Sequence, residues 1–225
     1  LRILAIRLGI HATWKKSTGA METRGDGVSR ELDAALQANL SAALERDISE
    51  RGRASLAVSG GSTPRGLFQQ LSQTPLDWTK VDITLVDERW VDAESPDSNE
   101  RLVRETLLCN KAETANFIGL KSAPENADDG VVEAIARVTG ISLPFSTVVL
   151  GMGGDGHTAS WFPQAVNLQE LLDPEAQNPV AATEPVTAPH QRITLTMHAV
   201  LNARNIIIHI TGNEKREVIN SAAAR

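Results

Sequence analysis

The chain has 225 residues, with 28 Asp and Glu against 22 Lys and Arg for a formal charge of −6, and it carries only four Trp, four Phe and no Tyr. An excess of carboxylates works against nucleic-acid binding through phosphate neutralisation, and so few aromatics leave little material for base stacking. The fractions of 41% hydrophobic and 22% charged residues are those of a soluble globule, the single Cys109 excludes an internal disulfide or a multi-cysteine metal site, and no apolar run approaches a membrane span.

In chain order, residues 1–27 open with LRILAIRLGIHATWKK, whose apolar stretch is interrupted by Arg7; they read as an ordinary N-terminal segment, not a signal peptide. Val28, Leu32, Leu36, Leu40, Leu44 and Ile48 recur at a spacing of four, which predicts an amphipathic helix over 28–48. A recurring unit follows. ASLAV (54–58) runs into SGGSTP, VDITLV (81–86) into DERW, STVVL (146–150) into GMGGDGH, and NIIIHI (205–210) into TGNEK. Helical patterns start at Pro64, Ser98, Gly130 and Asn213, ITLTM (193–197) alternates as a strand, and the Pro-rich stretch 174–189 reads as an excursion between elements.

Strands alternating with helices predict one α/β domain over 1–225, with a doubly wound, mainly parallel sheet and helices on both faces. Ligands of such sheets sit beyond the carboxyl ends of the strands. Four strands here end in polar or glycine-rich segments, so four motifs converge on one edge, the arrangement of an enzyme.

In the first motif, Gly60 and Gly61 let the backbone turn tightly, Thr63 is placed as a helix cap and Pro64 suits the first helical position. With Ser62, these residues form a strand, a turn and a helix start with free amides, a ready anion site. No Gly-Lys-Ser/Thr follows, so it is not a Walker loop, and Pro64 excludes a nucleophile elbow. Gly151, Gly153 and Gly156 satisfy G-x-G-x-x-G, but Pro163 interrupts the helix that should follow and no acidic residue ends a strand at the right distance.

His157 leaves that second loop where a base would meet substrate, and an imidazole with an ordinary pKa near ~6.5 accepts a proton at neutral pH. His209, inside an apolar strand, reads as a packed core residue. Asp87, Glu88 and Arg89 can orient a histidine or hold a phosphate. Lys215 opposes the dipole of the helix it opens, which makes sense beside an anion, and Arg192 reads as a second phosphate clamp. Asp155 and His157 share a loop, but two ligands do not make a metal site.

At SGGSTP (59–64), LDWTKVDITLVDERWV (76–91), SNERLVRETLL (98–108), VVLGMGGDGHTASWFP (148–163), PHQRITLT (189–196) and TGNEK (211–215) the sequence resembles the 6-phosphogluconolactonase family. Trp161 and Gly154 depart from it, since leucine and a bulkier residue are usual there. The resemblance implies a sugar-phosphate isomerase-like fold and hydrolysis of a phosphosugar lactone in the cytoplasm, without metal or other cofactor, by a monomer or small homo-oligomer. Phosphate would bind Gly60 to Thr63, Arg89, Arg192 and Lys215, and His157 would activate water. Asp155, or else Asp87 or Glu88, would orient the imidazole, and the Gly153 and Gly154 amides are oxyanion candidates. Glucosamine-6-phosphate deaminases are similar at the glycine-histidine loop, but carry a carboxylate where this chain has Ser160-Trp161-Phe162-Pro163. A non-catalytic sugar-phosphate sensor would keep the loop and lose the histidine.

Overall fold

The computed structural model describes residues 26–223, so most of the N-terminal segment 1–27 lies outside the described residues. A long helix α1 (Asp26–Arg51) leads into strand β1 (Ala54–Val58) and helix α2 (Arg65–Ser72). Strands β2 (Val81–Leu85) and β3 (Asp87–Arg89) precede helix α3 (Asn99–Thr106), strand β4 (Asn116–Ile118) and helix α4 (Ala127–Thr139). Then come β5 (Thr147–Leu150), α5 (Leu168–Leu171), β6 (Val180–Thr183), β7 (Arg192–Leu195), α6 (Met197–Leu201), β8 (Ile206–Ile208) and α7 (Asn213–Ala223).

Five strands form a central sheet in the order β4-β2-β1-β5-β8, with every pairing parallel. β1, β2 and β5 are buried along their whole length, their few polar residues such as Ser55, Asp82 and Thr147 included. From β1 the chain steps outward to β2 and β4, then returns to place β5 on the other side of β1. The order therefore reverses between β1 and β5. At such a reversal the two following loops diverge and leave a crevice at the carboxyl edge. The doubly wound sheet expected from the sequence is present.

A second sheet was not expected. Asp87–Arg89, read as the polar end of a strand, is itself a short strand that pairs antiparallel with β7. β7 pairs in turn with β6, which lies inside the proline-rich stretch read as an excursion. Hydrogen bonds to distant partners, not local propensity, make these segments strands. α4 packs against this smaller sheet, while α1 packs on α2, β1 and β5. The core joins both sheets through residues such as Leu56, Ile83, Val149 and Ile193, all 0% exposed.

Two helix starts differ in kind. Ser98 caps α3 as its sequence implies, its Oγ accepting from the Arg101 amide at 3.1 Å. Thr63 does not cap α2. Pro64 occupies the cap position with helical dihedrals, its carbonyl accepting from the Phe68 amide at 2.9 Å, and no side chain caps the helix. Among the described residues no helix is long and apolar enough to cross a membrane.

Candidate active site

The loops after β1 and β5 face each other across the reversal point. The Ser59 amide donates to the Val149 carbonyl at 3.0 Å, so the glycine turn leaves the sheet beside β5. Gly61 has φ +94, a left-handed conformation that a side chain would strain. Gly60 lies so close to the Asn99 amide group that a Cβ would overlap it. Asn99 is clamped there by donating from Nδ2 to the Asp87 carbonyl at 2.9 Å. These constraints hold Gly60 to Thr63 as one wall of a cavity of about 230 Å³. Gly151 to Gly153, His157, Asp87, Arg89, Lys215 and His209 complete the lining.

In the second loop, Asp155 Oδ1 stands 2.6 Å from His157 Nδ1 and also accepts from the His157 backbone N–H at 3.1 Å. Burial alone would raise the Asp155 carboxyl; the backbone and ring N–H groups of His157 outweigh it and hold the carboxyl below the usual carboxylate range. An ionised carboxylate on Nδ1 selects the Nδ1–H form of the ring and leaves Nε2 as the acceptor. The imidazole packs on Phe162 with centroids 4.3 Å apart, so its plane is held from a second side. The result is an oriented imidazole on a cavity that the glycine turn also lines.

Residues 28–225 match the family model described as glucosamine-6-phosphate isomerases/6-phosphogluconolactonase. The chain belongs to this family. A 6-phosphogluconolactonase of Rhizobium meliloti is 45% identical over 193 residues, covering 86% of this chain and 83% of that protein. A crystal structure of a 6-phosphogluconolactonase from Shewanella baltica superposes with a TM-score of 0.84 at 47% identity, covering 86% of this chain and 82% of that one. The Trypanosoma brucei 6-phosphogluconolactonase has a TM-score of 0.70 at 27% identity, covering 85% and 82%. A monomeric glucosamine-6-phosphate deaminase, 15% identical with a TM-score of 0.69 over 86% and 83% of the two chains, shares the fold alone.

Within this family member, not every carboxylate near His157 faces it. Asp87 Oδ2 accepts from Ser160 Oγ at 2.6 Å, tying the loop after β5 to β3. Glu88 is turned away from the imidazole, which corrects its reading as an orienting residue. Its oxygens accept from Ser98 Oγ (3.0 Å) and from the amides of Arg89 (2.7 Å), Asn99 (2.8 Å) and Glu100 (2.7 Å). Burial still outweighs these bonds and pushes its carboxyl up. The four free amides at the start of α3 are the physical reason for this turn.

The Gly153 amide is likewise engaged, donating to the His157 carbonyl at 2.9 Å as the loop closes on itself. Arg192 stands behind Phe162 in an adjoining cleft of about 260 Å³, which His157, Asp87 and Arg89 also line. Its Nη1 donates to the carbonyls of Pro189 (2.7 Å) and His190 (3.1 Å). Burial, then the neighbouring Arg89, lowers its guanidinium from the ordinary value. Arg89 donates to the Asp97 carbonyl at 2.5 Å and borders both clefts.

Sequence reasoning missed Asn99, Ser160 and Phe162. All three stood inside quoted motifs without being singled out, Asn99 in SNERLVRETLL and Ser160 and Phe162 in the glycine-histidine motif. His209 is buried as read, at 4% exposure, yet it also lines the cavity. Among the described residues no group of three His, Cys, Asp or Glu side chains is arranged to hold a metal ion.

Proposed function

We propose that the chain hydrolyses 6-phospho-D-glucono-1,5-lactone to 6-phospho-D-gluconate, the lactone-opening step of the oxidative pentose phosphate pathway, with His157 as general base. The observation that carries this reading is the 2.6 Å contact of Asp155 with His157, whose ring lies on the wall of the cavity that Gly60 to Thr63 also line. The loop amides and Lys215 bind the substrate's phosphate, and Arg89 borders the path from there to the sugar. Gripping this remote group holds the lactone carbonyl near His157 and reduces the entropic part of the barrier.

His157 Nε2 then takes a proton from a water as its oxygen attacks C1, a role commonly worth ~10²–10⁴ in rate. Asp155 stabilises the imidazolium that forms. The tetrahedral oxyanion needs donors, and with the Gly153 amide engaged by the loop, the Gly154 amide is the remaining candidate of the two. When the C1–O5 bond breaks, the imidazolium returns its proton to the departing ring oxygen. Atoms balance as one water added, and the reaction calls on no redox step.

Ring opening of glucosamine 6-phosphate followed by aldose–ketose isomerisation wants an acid in the glycine-histidine loop, where this chain has Ser160-Trp161-Phe162-Pro163. The test is direct. Purified protein is given 6-phosphogluconolactone in one vessel and glucosamine 6-phosphate in another, with acid and ammonia release recorded above the spontaneous rates. Acid alone is expected. Ammonia release would replace this reading with the deaminase, and neither product would leave a sugar-phosphate binding protein.

A further inference from the structure

His209 lines the cavity but has no part in the mechanism above, and its setting is unusual for a packing residue. β8 ends at Ile208, so His209 stands just beyond the strand's carboxyl end, with its amide donating to the Leu150 carbonyl at 2.8 Å. Its side chain is 2% exposed and belongs to the wall shared with the 59–63 loop and Lys215. Among the described residues neither ring nitrogen has a hydrogen-bond partner. Nε2 lies 3.5 Å from Asp33 Oδ1, a buried oxygen that also lacks a hydrogen bond among those residues. Asp33 comes from α1 and abuts Gly66 in the first turn of α2, so the pair lies beneath the helix that the glycine turn opens.

Packing alone does not account for this. A buried imidazole and a buried carboxylate oxygen without hydrogen bonds are each unfavourable, and an apolar pair would fill the space without that penalty. Such groups make sense when a ligand completes their bonding. Burial lowers the His209 imidazole and raises the Asp33 carboxyl, so the pair is reluctant to carry two charges while the cavity is empty. A phosphate dianion changes that balance, because an imidazolium between two anions is favoured.

We propose that His209, backed by Asp33, is a phosphate-binding residue of the cavity that takes up one proton from solvent when the phosphate group binds. The inference rests on reading the 59–63 loop as a phosphate site. On binding, His209 passes from a neutral imidazole to an imidazolium held between Asp33 and the phosphate. The other ionisable groups lining the cavity are Lys215 and Arg89, both already cationic, together with Asp87 and His157.

The experiment is calorimetric titration of inorganic phosphate into the wild-type protein, His209→Gln and Asp33→Asn, in two buffers of different ionisation enthalpy. A pH of about 8 lies above the second ionisation of inorganic phosphate, so most of the titrant is already the dianion. Wild type is expected to take up roughly half to one proton per phosphate bound. His209→Gln is expected to lose that uptake and to bind about tenfold more weakly, as for one missing charge-assisted bond. Asp33→Asn is expected to reduce the uptake. Circular dichroism of the variants reports whether they fold, and the wild-type measurement needs no variant.

Binding without proton uptake by wild type, or unchanged uptake in a folded His209→Gln, overturns the inference and assigns any exchange to His157. Absence of phosphate binding by wild type overturns the phosphate reading of the loop, and this inference with it.

Discussion

Asp155 Oδ1 and His157 Nδ1 stand 2.6 Å apart, two residues along one loop, with the same carboxylate also accepting the His157 backbone N–H. One oxygen thereby fixes the position and the protonation of the ring. His157→Ala is expected to lower kcat for the lactone by ~10²–10⁴, while 6-phosphogluconate still binds. Asp155→Asn keeps the shape but loses the charge. Its kcat is expected to fall about tenfold to a hundredfold, the worth of a hydrogen bond to a charged group of ~1.5–3 kcal/mol. Steady-state rates with product inhibition check both, and near-normal turnover by His157→Ala removes it from the mechanism.

Gly60 faces the Asn99 amide at a distance no Cβ tolerates. Gly60→Ala must therefore displace Asn99 or the loop, and Asn99 is anchored to the Asp87 carbonyl. Overpacking of this kind costs about 1–3 kcal/mol. We expect a raised KM and a lowered Tm. Gly154, with open space around its Cα, accepts the same substitution with no loss of Tm.

The Glu88 carboxylate joins β3 to the start of α3 by three hydrogen bonds and accepts a fourth from the Arg89 amide within β3, and burial raises its pKa. A folded-state pKa above the unfolded value means that the folded protein binds the proton more tightly. That contribution is complete below the ordinary glutamate range and is lost as pH rises through the raised value. Glu88→Gln lacks this slope and leaves some donors unmatched, at about 1–3 kcal/mol. Urea unfolding across mildly acidic to neutral pH is expected to show a less stable variant with a flatter profile.

Lys215 lines the cavity from the first turn of α7, where the helix dipole disfavours a cation unless an anion is near. Lys215→Ala is expected to raise KM by about tenfold, the loss of one charge-assisted contact. The wild-type KM is expected to rise with ionic strength, and that of the variant to rise less. Equal salt dependence in the two proteins would take Lys215 away from the phosphate.

Much of this protein is legible in local patterns. Short, mostly apolar runs such as 54–58 and 146–150 are buried strands because both faces of a central parallel sheet are covered. The short strands 87–89 and 180–183 were illegible, since three or four residues become a strand only through the partner they meet. The Thr63 cap failed for a related reason: Pro64 already adopts helical dihedrals, and the turn is set by Gly61.

The sequence by itself determined the alternation of strands and helices, the two glycine loops and the histidine within one of them, because each depends on neighbours a few residues away. Only the tertiary structure decided which carboxylate serves that histidine. Asp87 and Glu88 are carboxylates like Asp155, but hydrogen bonds from Ser160 and from the start of α3 engage them. Tertiary structure also brought His209 and Asp33, 176 positions apart, to 3.5 Å under the loop. Contacts across such separations are set by the order of strands in the sheet, which no local spacing encodes.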